Sequence, residues 1–143
     1  MNKSKSNQEL EAQVAKVVFG YTEVEYIGGQ GLKYKNKALG KERGGTWISS
    51  VPEYTQSWEA AGLVIDEMKR RGWLCVIEST STRGHAKFWR FHPNGIQFNT
   101  VGSADSSLFV AICKAAIGAS TVWKIYKKRL KMHDSKTSKG LTE

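Results

Sequence analysis

Ala86-Lys87-Phe88-Trp89-Arg90-Phe91-His92-Pro93-Asn94-Gly95-Ile96-Gln97-Phe98-Asn99-Thr100 reads as two strands joined at Asn94-Gly95. An Asn-Gly pair supplies the positive φ angles that a tight hairpin turn requires. Strand alternation puts Phe88, Arg90 and His92 on one face and Lys87, Trp89 and Phe91 on the other. Each face therefore carries apolar bulk and a cation, where a sheet covered on one side only reads as more lopsided. The expectation is a sheet buried on both sides, with charged edges able to receive a ligand.

Working outward, Trp73 to Glu78 reads as a strand, and the polar turn Ser79 to Gly84 carries it into the hairpin. Before it, Pro52 marks a turn and Thr55 is placed to cap a helix over Gln56 to Arg71, with Gly72 at its end. Trp58, Ala61, Ile65 and Met68 form that helix's apolar stripe. After the hairpin, Asp105-Ser106-Ser107 opens a further helix, whose Ala111, Ala115, Ala116, Gly118 and Ala119 permit close packing on the sheet. Thr121 to Lys131 extends that helix or starts a new one, and the polar composition from His133 predicts a disordered end. At the start, Ser6-Asn7-Gln8-Glu9 has the capping-box pattern ahead of Leu10, Val14, Val17 and Val18, and this helix should stop near Phe19-Gly20. Thr22 to Ile27 alternates as a strand. The Gly- and Lys-rich segment from Gly28 to Gly45 is the best loop candidate in the chain.

The length of 143 residues suits one domain with a real core. We place that domain at 1–119, with an insertion at 28–45, and treat 120–143 as a basic extension that is partly helical and then disordered. No long apolar run and no signal-peptide pattern stand out, so an intracellular protein off the membrane is expected. Cys75 and Cys113 lack metal or redox spacing and read as reduced core residues. The net charge is +9, and more than half of the excess falls from Ser120 onward. Such a balance favours polyanionic partners or serves as a solubilising tail.

Catalytic and metal motifs fail on inspection. A Walker loop ending at Gly40-Lys41 needs glycine where Lys35 stands and a hydroxyl where Glu42 stands. His85, His92 and His133 show no helical ligand pair, so no metal is expected. The serines sit in no nucleophile elbow, and Glu23 and Glu25 read more simply as a solvated strand face. Binding is better supported. Arg83, Lys87, Arg90 and Lys114 can meet phosphates, Phe88 and Trp89 can stack on a base, and Asn99 can hydrogen-bond a ligand. The plainer reading of Phe88, Phe91, Trp73 and Phe98 is core. Arg90, flanked by Trp89 and Phe91, must reach a rim or be paired. A second basic set, Lys33, Lys35, Lys37, Lys41 and Arg43 in the loop with Lys124, Lys127, Lys128, Arg129 and Lys131 in the extension, would serve nucleic acid or a host protein.

Three segments carry a family resemblance: Val51-Pro52-Glu53-Tyr54-Thr55-Gln56-Ser57-Trp58-Glu59-Ala60, Met68-Lys69-Arg70-Arg71-Gly72-Trp73 and Ala111-Ile112-Cys113-Lys114-Ala115-Ala116. With Phe19-Gly20-Tyr21, they make the chain resemble the phage ABA-sandwich domain family of small bacteriophage proteins. The resemblance implies an α+β fold, an α/β/α sandwich around a central antiparallel sheet, and it implies little about activity. The chain departs from that pattern in the long 28–45 insertion and the basic extension after Ala119. In size and layout it is also similar to phage sponge proteins that sequester nucleotide immune signals, such as the anti-Thoeris sponges. The resulting expectation is a non-enzymatic, cofactor-free accessory protein of the host cytoplasm. It would form a homo-oligomer and bind a cyclic-nucleotide or ADP-ribose-like signal. The alternative is a nucleic-acid- or host-protein-binding role for the loop and extension.

Overall fold

A computed structural model describes residues 5–27, 31–36, 47–92, 95, 97–99 and 102–141. It shows a mixed α+β fold with two antiparallel sheets and packed helices, in agreement with the expected class. Helix α1 (Lys5–Gln13) widens at its exit into a π-helical turn, Val14–Val18, where Phe19 N–H donates to the Val14 carbonyl at 3.2 Å. Ser6 and Glu9 lie inside this helix rather than at its cap. Strands β1 (Thr22–Ile27), β2 (Gly31–Asn36) and β3 (Trp47–Ser50) form one sheet in that order. Helix α2 (Trp58–Arg70) leads to β4 (Leu74–Ser79), β5 (Gly84–Phe91), β6 (Gln97–Asn99) and β7 (Ser103–Asp105), which form the second sheet.

The hairpin of the sequence is present as β5 and β6, paired from Trp89 opposite Asn99 to Phe91 opposite Gln97. Of the residues between the two strands, Pro93, Asn94 and Ile96 lie outside the described residues, and with Asn94 so does the expected Asn94-Gly95 turn. Gly95, at φ +87°, donates to the His92 carbonyl at 2.9 Å. Strands β6 and β7 both lie on the edge of β5 opposite β4.

Register separates the two faces of this sheet. Cys75 lies opposite Phe88 and Ile77 opposite Ala86, all turned toward the helices, where Phe88 and Ala86 are fully buried. Leu74 opposite Trp89 and Val76 opposite Lys87 point the other way. On that outer face Leu74, Val76 and Phe91 are 43%, 42% and 54% exposed. The expectation of burial on both faces is therefore corrected. In the described residues the helical layer covers the inner face alone.

Helix α3 (Leu108–Leu141) is the central packing element, buried along Ala111, Ile112, Cys113, Ala115, Ala116 and Ala119. It comes very close to β5: a Cβ on Gly84 would lie 2.5 Å from the Leu108 Cα, so only glycine fits there. The helix opens as its sequence predicts. Asp105 accepts from Ser107 N–H at 3.0 Å, and Ser107 Oγ accepts from Val110 N–H at 3.4 Å. Its backbone stays helical to Leu141 without a break at Ser120, so the disordered end expected from His133 gives way to helix. Within it, Leu108–Met132 is long and apolar enough, with a window of mean hydropathy 1.5, to cross a membrane by length and composition. The expectation of no long apolar run is therefore corrected, and one face of the run supplies the core.

Helix α2 begins at Trp58 because Ser57, not Thr55, is its cap; Ser57 Oγ accepts from Ala60 N–H at 3.1 Å. Thr55 has another role. Its N–H and Oγ1–H both donate to the buried carboxylate of Glu11, at 3.1 and 2.8 Å. Two donors on one carboxylate oxygen offset part of the desolvation cost of a group only 1% exposed. The bond ties α1 to the segment entering α2.

Candidate functional site

Arg90 is the penultimate residue of β5 and lies on the inner face, where the sheet outruns its fully buried core residues. There its guanidinium meets two indoles brought from distant parts of the chain. Its Cζ lies 4.0 Å from the ring centre of Trp123 on α3 and 5.3 Å from that of Trp73, just before β4. Its Nη1 donates to the Arg71 carbonyl at 2.9 Å. Gly72, at φ +96°, makes room: a Cβ there would stand 3.0 Å from Nη2. Arg90 is thus held by rings and backbone rather than by a carboxylate. Burial draws its pKa down from the ordinary guanidinium value, yet a guanidinium stays protonated in proteins.

Around Arg90 opens a cleft of about 960 Å³. Lys16 from the π-helical turn of α1, Arg71 after α2, Arg90 from β5, and Lys124 and Lys127 from α3 supply five cations to its lining. No carboxylate is among the described lining residues. Arg71 is neutralised from outside the cleft by Glu67, at 3.0 Å. The two arginines on Glu67, Arg70 and Arg71, hold its carboxyl below the usual range. Tyr126 stacks near Trp123 with centres 5.3 Å apart, and His92 packs edge-on against Tyr126 at 4.6 Å. An aromatic column therefore backs the cleft where α3 leaves the core.

The residues expected to bind a ligand do not converge here, Arg90 excepted. Phe88 is fully buried and offers no ring face to a ligand, so its stacking role is corrected to a core role. Trp89 and Lys87 lie on the outer face, across the sheet from Arg90, and Trp89 packs edge-on against Phe91. Lys114 is paired with Asp105 at 3.2 Å, beside a different, smaller cleft. Arg83 is exposed in the β4–β5 turn. Asn99 is placed by its backbone in β6, opposite Trp89.

Of the second basic set, Lys33 donates to Ser50 Oγ at 2.7 Å, and Lys35 is placed by its backbone in β2. Lys37, Lys41 and Arg43 lie outside the described residues. Lys124, Lys127, Lys128, Arg129 and Lys131 are exposed on α3, and the first two also line the cleft. The two sets of the sequence reading therefore merge at one place, through Arg90, Lys124 and Lys127. Trp73, expected as core, and Arg71, Lys16 and Trp123 are not among the binding residues expected from the sequence. The one signal for them is Trp123 followed by Lys124 and Lys127 on the same helix.

Among the described residues no group of three or more His, Cys, Asp and Glu side chains could hold a metal. Comparison with protein-family models, with curated proteins and with solved structures finds no match to this chain.

Proposed function

We propose that the protein captures a nucleotide-type anion in the Arg90 cleft and holds it without chemical turnover. The observation that carries this reading is the cleft's charge: Lys16, Arg90, Lys124 and Lys127 face it, with no carboxylate in its described lining. Clefts lined by one sign of charge concentrate counter-ions of the other. The lining hydroxyls, Ser120 and Thr121, have no histidine or carboxylate beside them in that lining to act as base, which supports binding over catalysis. The resemblance of the Val51–Ala119 stretch to phage ABA-sandwich proteins supports placing this capture in a phage accessory protein of the host cytoplasm. Removing a host defence signal is the role that fits. Self-association belongs to the same proposal, with the apolar outer sheet face as its candidate surface.

Calorimetric titration with a cyclic dinucleotide and with ADP-ribose tests it. At least one should bind at micromolar affinity or better, Arg90→Gln should weaken binding about tenfold or more, and Lys114→Gln should leave it unchanged. Absence of binding to any nucleotide, or equal binding by Arg90→Gln, contradicts the proposal.

A second reading rests on one observation: Lys124, Lys127, Lys128, Arg129 and Lys131 are exposed along a continuous helix. Such a face would contact duplex phosphates, and its affinity would fall steeply with salt as counter-ions are released.

A further inference from the structure

We infer that the cleft reads the diphosphate portion of its ligand and leaves the base unread. This rests on the nucleotide-binding reading above and names the part of the ligand that is recognised. Among the described residues Lys16, Arg90, Lys124 and Lys127 have no ion pair, whereas Arg71 is paired with Glu67 and Lys114 with Asp105. A lone phosphodiester brings one negative charge to four cations. A diphosphate brings several on adjacent phosphorus atoms, and the cations approach from three separate elements, α1, β5 and α3.

Arg90 adds a directed donor. Its Nη1 is committed to the Arg71 carbonyl, while its buried Nε has no hydrogen-bond partner. With Nε buried and Nη1 committed, Nη2, which has no hydrogen-bond partner among the described residues, is the guanidinium nitrogen left to donate to a phosphate oxygen in the cleft. Trp123 is engaged by Arg90 at 4.0 Å and by Tyr126 at 5.3 Å, Trp73 is 3% exposed, and Phe88 is fully buried. The cleft thus offers donors for oxyanions and little free ring surface for a base. Its ligand class is a nucleoside diphosphate, a dinucleotide joined through pyrophosphate, or free pyrophosphate.

Competition calorimetry on the full chain separates these, using ADP, UDP, adenosine, inorganic phosphate and pyrophosphate. ADP and UDP should bind within about threefold of each other and be displaced by pyrophosphate. Adenosine should not bind, and orthophosphate should bind at least about tenfold more weakly than pyrophosphate. The double variant Lys124→Gln/Lys127→Gln, altered only at exposed positions, should lose pyrophosphate binding while circular dichroism stays unchanged. A preference above about tenfold between ADP and UDP, or ADP binding that pyrophosphate does not displace, overturns the inference and leaves the nucleotide reading standing. Pyrophosphate binding without nucleotide binding overturns the nucleotide reading and, with it, this inference. Binding by none of them overturns both.

Discussion

Arg90 keeps its place because of a residue that contributes no side chain. Gly72 lies at φ +96°, and an added methyl group would press on the guanidinium at 3.0 Å. Gly72→Ala is therefore expected to lose about 1–2 kcal/mol from backbone strain alone. It should also weaken nucleotide binding by displacing Arg90 from Trp123; urea unfolding read alongside ligand titration checks both effects. Phe88 and Phe91 make a sharper contrast on one strand. Phe88→Ala empties a fully buried site and should cost about 3–5 kcal/mol, whereas Phe91→Ala on the open face should cost under about 1 kcal/mol. The cysteines divide in the same way. Burial pushes the Cys113 thiol up to about 12, so it stays protonated and unreactive until the protein unfolds. Burial raises the half-buried Cys75 thiol as well, so labelling of the folded protein at mildly alkaline pH should reach Cys75 slowly and Cys113 only in denaturant.

At the scale of elements, the joints respond to pH in a calculable direction. The Ser107 N–H at the start of α3, and then Lys114, hold the Asp105 carboxyl below its ordinary range. A carboxyl depressed in the folded state stabilises above its unfolded pKa, and that contribution is lost as pH falls through the folded value. Asp105→Asn should thus lower stability at neutral pH and flatten the decline below about pH 4, read from midpoints of chemical unfolding. Glu11 and Thr55 form the other joint, and Glu11→Ala, which strands the Thr55 N–H, should cost about 2–3 kcal/mol. These joints mark where sequence reading stops. Apolar spacing reveals α2, and Asp105-Ser106-Ser107 reveals the start of α3. Thr55 and Ser57, however, are both competent caps for one apolar run. What assigns Ser57 to the helix is a carboxylate 44 residues upstream of Thr55, a contact that local pattern does not carry. The π-helical turn at Val14–Val18 is hidden likewise, since its residues read as ordinary helix.

For the whole molecule, the cleft sits where α3 stops being core and becomes a basic projection. A 34-residue helix is about 50 Å long, far more than the sheet beneath it needs. Sequence reading separates a domain at 1–119 from an extension. The fold instead runs one helix through that boundary and places Trp123, Lys124 and Lys127 in the cleft. Arg90 stands out in the sequence as a cation among aromatics, but the rings it uses are Trp73 and Trp123 rather than its neighbours Trp89 and Phe91. Strand alternation sends those neighbours to the other face. Removing 132–143 should therefore leave nucleotide affinity within about twofold, while removing 121–143 should abolish it. The central claim is capture without turnover. The most direct measurement saturates the full chain with its nucleotide ligand, removes the excess, denatures the complex and identifies the released molecule by mass. Near-stoichiometric recovery of the unaltered nucleotide is expected. A hydrolysed product, or no nucleotide carried through, would contradict it.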